Sequence, residues 1–340
     1  MKQLTAVEPR HLEWIEVPEP ALDGGLDAIV RPITVANCDL DGLIIKGLVP
    51  VQGPIALGHE FVAEVVEVGE RVTAVRAGDR VVVPFQISCG ECARCRRGLT
   101  GSCSSVRRGS SYGLGSLGGT QWGGALSDLV RVPYADAMLL KLAKDADAVA
   151  MASFSDNVPD AYRTVAPGLR EWPGAPVLIV AGGFGSIPLY AAALAVALGS
   201  ERVDYVDTVV ERLELAQRLG ANPVEGPPAR KMPSRYAVTV DATANPDGLG
   251  CALRSTEAGG TCTSIGIYYG DTPLPLLDMY TIGVTFKTGR VDARHWLPEI
   301  IELYSRGTFQ PGAVMTREVP WADAAEAMAD PPTKLVITRA

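Results

Sequence analysis

The chain reads as an α/β protein in two parts: a strand-rich first half with the character of a partly open β-barrel, and a second half built as a doubly wound parallel sheet. Three observations predict this. Residues 1–85 alternate short β-branched runs with Gly and Pro punctuation and show few amphipathic helices. From Pro176 onward strand and helix patterns alternate. A chain of 340 residues is also longer than one ordinary core fills.

Composition narrows the function classes. The chain is 47% hydrophobic and 21% charged, with a net charge of −8 and no long Lys/Arg run, which argues against a nucleic-acid partner. Met1-Lys2-Gln3-Leu4-Thr5 opens no apolar targeting segment. Val177 to Leu198 is 22 residues without a charge, the length of a membrane span. Gly182-Gly183-Phe184-Gly185-Ser186 and Pro188 divide it, so a buried strand, a turn and a buried helix explain it better than a membrane partner. Four of the seven cysteines fall within fifteen residues, which is metal spacing rather than a disulfide framework and fits a reducing cytoplasm.

In the first half, Ile29–Val35, Phe61–Val68 and Arg80–Val83 are expected strands. Gly58-His59-Glu60 stands at the mouth of the second. A lone histidine there is ordinarily a satisfied core residue; a neighbouring carboxylate and a buried strand are what a metal ligand needs. Cys38, in Asn37-Cys38-Asp39-Leu40-Asp41, reads alone as a small buried hydrophobe. Asp156, in Phe154-Ser155-Asp156-Asn157, lies near the start of the second half. Taken together, a thiol, an imidazole and a carboxylate compose a three-ligand catalytic shell that leaves a fourth position open. Cys89, Cys92, Cys95 and Cys103 form C-x2-C-x2-C-x7-C, a closed set suited to structural zinc. An iron–sulfur cluster competes, but its cysteine run has a fourth member after three residues, followed by Pro, whereas here the gap is seven and Ser104 follows.

In the second half, the strand Val177–Val180 runs into Ala181-Gly182-Gly183-Phe184-Gly185-Ser186-Ile187-Pro188 and a helix to Leu198. Gly183-x-Gly185 allows a tight turn and backbone approach to a pyrophosphate at a helix start. Pro188 stands where the fingerprint's third glycine belongs, and a first-turn proline is tolerated. The next strand, Arg202–Asp207, ends in an acid 24 residues after Gly183, placed to accept ribose hydroxyls and repel a 2′-phosphate. NAD is therefore preferred over NADP, with Arg212 as the residue that could tolerate the phosphate. A helix carrying Leu213, Ala216 and Leu219 stops at Gly220. Tyr236–Asp241, a helix over 249–255, and Thr261–Ile267 continue the alternation. Ile282–Arg290 reads as a strand, Leu297–Tyr304 as a helix and Lys334–Thr338 as a last strand. His11 and His295 have no clustered partners and read as surface or packing residues.

Across its length the chain resembles the zinc-containing alcohol dehydrogenases of the medium-chain dehydrogenase/reductase family. The likeness rests on Cys38 with Asp41, Gly58-His59-Glu60, the four-cysteine lobe at 89–103, Asp156 six residues before Tyr162, Gly183-x-Gly185 and Asp207. The resemblance implies a GroES-like catalytic domain over 1–152 and 288–340, and a Rossmann NAD-binding domain over 153–287. It implies two zinc ions per chain, one held by Cys38, His59 and Asp156 and one by Cys89, Cys92, Cys95 and Cys103. Asp41 would orient the ligating histidine and Glu60 would lie beside the metal. Gly182, Gly183, Gly185, Ser186, Ile187, Asp207 and Arg212 would bind the dinucleotide, with Ala242, Ile265 and Ile267 at the nicotinamide. Leu40, Phe85 and Trp122 would line an apolar pocket for an alcohol, aldehyde or ketone, and the assembly would be a homodimer or homotetramer.

The departures concern the proton. Leu40 and Leu43 replace the family's usual hydroxyl and imidazole, and Asp160 replaces its usual threonine. Asp39 or Asp160 would have to carry the proton, or Glu60 would swing in as a ligand. Two rivals follow: an NAD(P)H-dependent reductase of conjugated carbonyls that needs no hydroxyl relay, and a non-catalytic protein that binds NAD and zinc.

Overall fold

A computed structural model of the chain describes residues 1–49, 53–115 and 122–339. The chain divides into two compact units, one of Met1–Pro159, Asp292–Ile301 and Met315–Ala340, the other of Asp160–Val291 and Glu302–Val314. The segment Glu302–Val314, expected with the catalytic part, belongs to the second unit.

The first unit is organised on a seven-stranded sheet in the order Arg317–Pro320, Leu335–Thr338, Ala28–Ala36, Glu60–Val68, Arg80–Val83 and Leu140–Lys141, with Val130–Val132 also paired to Ala28–Ala36. A smaller antiparallel sheet joins Lys2–Glu8 to His11–Glu16 and Ile55–Ala56. Successive residues of the central strands are buried on both faces, among them Ile29, Val30, Phe61, Val62, Val81 and Val82. Burial of this kind stabilises each side chain by about 1.5–3 kcal/mol.

Register decides what this sheet delivers. Ala36 pairs with Glu60 and Val35 with Phe61 in antiparallel sense, so the chain leaving one strand at Asn37-Cys38 lies beside the chain entering the next at Gly58-His59. Gly58 adopts φ +88°, and a Cβ there would meet the Leu126 nitrogen at 2.9 Å, so only glycine makes this entry. Val336 pairs with Ala36, which brings the last strand to the same edge.

The second unit holds a six-stranded parallel sheet in the order Asn222–Glu225, Val203–Asp207, Val177–Val180, Tyr236–Asp241, Thr256–Ser264 and Thr285–Thr288. The order reverses direction between Val177–Val180 and Tyr236–Asp241, the switch point at which doubly wound sheets bind ligands. The helix Ser186–Ala197 is apolar nearly all round and correspondingly buried, so the uncharged run is a strand and a core helix. Among the described residues no helix is long and apolar enough to cross a membrane. Pro188 is the third residue of that helix, where its nitrogen lacks an intrahelical acceptor in any case. The expected strand from Ile282 is corrected: Leu276–Ile282 is a helix closed by Gly283 at φ +67°, and only Thr285–Thr288 is extended. The helix overlaps the expected strand only at Ile282, and its two turns are too short to show a 3.6-residue period.

Candidate active site

Four segments meet at the edge of the first unit's sheet. The short helix Asp39–Ile45 begins at Cys38, whose backbone N–H donates to Asp41 Oδ2 at 2.8 Å. Asp41 Oδ1 lies 3.4 Å from His59 Nδ1, so one carboxylate holds both the cysteine's backbone and the imidazole. Ser155 Oγ accepts from Phe61 N (2.8 Å) and donates to Phe61 O (2.9 Å), pinning the 3-10 turn Ala152–Ser155 to the strand that follows His59. Asp156 comes next, with Oδ2 3.4 Å from His59 Nε2. Asn157 Nδ2 donates to Cys38 Sγ and to Asp156 Oδ2, each at 3.3 Å.

The result is a buried cluster in which donor atoms of Cys38, His59, Glu60 and Asp156 all lie within 4.8 Å of one another. Both His59 nitrogens, Asp41 Oδ1 and Glu60 Oε1 are buried without an aligned hydrogen bond. Unpartnered buried polar atoms of this kind are costly unless something pairs with them. Two carboxyls, a thiol and an imidazole converge there, with the Lys334 ammonium paired to Glu60, a donor set that suits a divalent cation of borderline softness. The residues present therefore fit zinc.

Their electrostatics agree. Burial pushes the Cys38 thiol up to about 12, with His59 opposing and Asp156 and Glu60 adding to the rise. Burial also raises Glu60 to about 8, against the pull of the Lys334 ammonium. For His59 burial acts downward, but the Asp41 and Asp156 carboxyls and the Cys38 sulfur beside it outweigh this, holding the imidazole well above its ordinary value.

Phe85 packs over the imidazole, ring centroids 5.7 Å apart, and gives the cluster an apolar wall. Leu40 is half-buried on the helix that begins at Cys38. Trp122 is half-buried with its indole N–H unpaired, and the Arg131 guanidinium lies 5.9 Å over its ring. Asp160 is ion-paired with Arg163. His11 pairs with Glu13 on the surface, as expected of a residue outside any cluster.

Sequence reasoning missed Lys334, Asn157, Asn37 and Ser155. Lys334 is fully buried, and its Nζ donates to Glu60 Oε2 and Asn157 Oδ1, both at 2.9 Å, and to the Asn37 carbonyl. A single lysine heading an apolar strand looks like a surface residue, because its partners lie 177 to 297 residues away. The one available signal was Asn beside each of two candidate ligands.

The four lobe cysteines also converge, their sulfurs within 4.8 Å of one another. Their sulfurs accept backbone N–H groups: Cys89 N to Cys103 Sγ, Cys92 N to Cys89 Sγ and Cys95 N to Cys92 Sγ, at 3.3–3.4 Å. Cys92 drops to about 5 through the Ser104 side chain and the backbone N–H groups around it, so thiolate is favoured there before any metal arrives.

In the second unit, Gly183 passes so close to the next strand that a Cβ would lie 2.2 Å from the Thr243 carbonyl. Gly182 has φ +141°, and Gly183 N and Phe184 N both donate to the Ala242 carbonyl at 3.2 Å. Gly185 precedes the helix that starts at Ser186 and Ile187, leaving its first amides at the switch point. Asp207, buried at its strand's end, accepts from Thr208 N (2.7 Å), Val209 N and Arg212 Nη2 (each 3.1 Å). Ala242 and Ile265 are buried and Ile267 is exposed.

The chain is similar to known proteins. A sequence profile of the alcohol dehydrogenase GroES-like domain matches residues 24–143. A zinc-type alcohol dehydrogenase B of Aspergillus flavus is 28% identical over 96% of this chain and 77% of its own. A probable zinc-binding alcohol dehydrogenase of Mycobacterium tuberculosis is 30% identical over 92% of this chain and 80% of its own. The solved alcohol dehydrogenase TADH from Thermus sp. ATN1 superposes with a TM-score of 0.89 at 28% identity, covering both chains fully.

Proposed function

The chain belongs to the zinc-containing alcohol dehydrogenases of the medium-chain dehydrogenase/reductase family, and from that premise we propose that it moves a hydride between NAD(H) and an alcohol/carbonyl pair of small organic substrates. The observation that carries the proposal is the buried convergence of Cys38, His59 and Asp156, with Glu60 beside them.

Cys38, His59 and Asp156 would hold one zinc ion, which when bound supplies Lewis acidity toward a substrate oxygen. Cys38 and Asp156 contribute anionic donors. Asp41 faces His59 Nδ1 and so favours the tautomer that leaves Nε2 with a free lone pair on the Asp156 side. Phe85 excludes water from one flank. Glu60 is held toward Lys334. A second, structural zinc would sit among Cys89, Cys92, Cys95 and Cys103, where four sulfurs close the shell and leave no reactive position.

NAD is the favoured dinucleotide. Gly183 and Gly185 open the pyrophosphate turn. The buried Asp207 carboxylate presents negative charge where an adenosine ribose would lie, and its ion pair with Arg212 occupies the guanidinium that could otherwise receive a 2′-phosphate. Self-association into a homodimer or homotetramer is supported by Leu277 and Tyr280, 75% and 85% exposed, on a helix that leads into the sheet's edge strand Thr285–Thr288. Seven unpaired cysteines suit a reducing, cytoplasmic setting.

The test is product analysis with 4-deuterated NADH over aldehydes, ketones and conjugated enones, with and without a chelator. Label on the carbonyl carbon, lost on chelation, is expected. Label β to the carbonyl would replace this proposal with a conjugated-carbonyl reductase, and no NADH oxidation by any substrate would leave a non-catalytic binding protein.

A further inference from the structure

The three partners of the Lys334 ammonium are not scattered. Asn37 precedes Cys38, Glu60 follows His59 and Asn157 follows Asp156, so each contact falls on the chain neighbour of one candidate metal ligand. The lysine is itself held. Its backbone N–H donates to Thr316 Oγ1 at 3.0 Å, and its carbonyl accepts from the same hydroxyl at 2.7 Å. Around it Asn37 N donates to the Leu335 carbonyl at 3.0 Å, Asn37 Nδ2 to the Pro332 carbonyl at 3.3 Å, and Leu335 N to Asn37 Oδ1. Lys334 is fully buried, so each of these contacts operates away from competing water.

We propose that Lys334 is a positioning residue: a three-way clamp from the C-terminal strand that assembles the Cys38, His59 and Asp156 segments into a metal site before any metal binds. It rests on the assignment of those three residues as zinc ligands. An ammonium has three donors and no acceptor, and here all three are used, one on each ligand-bearing segment. Without the clamp, metal alone would have to gather segments that are remote in sequence, and the ordering cost would fall on the binding step.

The test is zinc release from full-length, zinc-loaded protein into a chromogenic chelator, with the Cys38-dependent pool identified as the one lost in Cys38→Ser. In Lys334→Met that pool should empty at least about tenfold faster, within the range seen when groups supporting a ligand are removed. The four-cysteine pool should keep its rate, which a general loosening of the fold would not allow. Equal rates in wild type and variant overturn the proposal, as does equal acceleration of both pools. Should Lys334→Met fail to fold, Glu60→Gln/Lys334→Met is compared with Glu60→Gln alone: faster release in the double variant supports the clamp, and matching rates overturn it. A wild-type protein with no Cys38-dependent pool would overturn the ligand assignment itself, an outcome distinct from all of these.

Discussion

At the scale of single residues, the chemistry is set by burial acting on a few titratable groups. With Cys38 pushed up to about 12 by burial, the metal-free thiol carries a proton at every working pH, whereas a ligating sulfur carries none. The sign follows directly: zinc uptake expels that proton, so affinity rises with pH and falls in acid. Where His59 is still protonated, held above its usual value, a second proton leaves and the slope steepens toward low pH. Calorimetric titration of apoprotein in buffers of different ionisation enthalpy checks this; zinc uptake without proton release would contradict it. On the cofactor side, Asp207→Asn removes the charge that opposes a 2′-phosphate. The ratio of kcat/KM for NAD over NADP should then fall about tenfold or more, equivalent to about 1.4 kcal/mol of lost discrimination. That Cys38, His59 and Asp156 meet is legible in the sequence, because their residue types and family spacing point one way. Lys334 is not, because nothing local distinguishes a buried lysine whose carboxylate partner lies 274 residues earlier.

At the scale of elements, the candidate site is made by strand ends. The register that pairs Ala36 with Glu60 would place Cys38 beside His59 whatever the function, and Ser155 then ties in the turn that carries Asp156. Ser155→Ala leaves the buried Phe61 N–H and carbonyl without this partner, which costs about 1–3 kcal/mol per unsatisfied group. Urea unfolding should show that loss together with weaker zinc retention, and unchanged stability would show that the turn is held by other means. The strands Ala28–Ala36, Glu60–Val68 and Tyr236–Asp241 are legible from apolar runs bounded by Gly and Pro. The helix Leu276–Ile282 is not, since it is two turns long and leaves no residue buried, so no apolar face marks it.

At the scale of the molecule, the proposed self-association turns on the same exposed helix. A charge in the middle of an apolar contact is expensive to bury. Leu277→Asp should therefore shift the sedimenting species from an oligomer toward the 35.9 kDa chain, while a wild-type protein that already sediments at that mass would remove the case for self-association. The two-part α/β organisation is legible from texture alone, the change at Pro176 being a change of hydrophobic period. The return of the chain to the first unit after Met315 is legible only through the family resemblance, which assigns the C-terminal residues to the catalytic domain, because a short strand by itself carries no mark of which sheet it will join.

The central claim is that Cys38, His59 and Asp156 together hold a catalytic zinc. Anomalous diffraction at the zinc edge from zinc-replete crystals tests it most directly. Two peaks per chain are predicted, one among Cys89, Cys92, Cys95 and Cys103 and one touching Cys38 Sγ, His59 Nε2 and Asp156. A peak at the cysteine lobe alone, or one near His59 that Cys38 and Asp156 do not reach, would contradict the account.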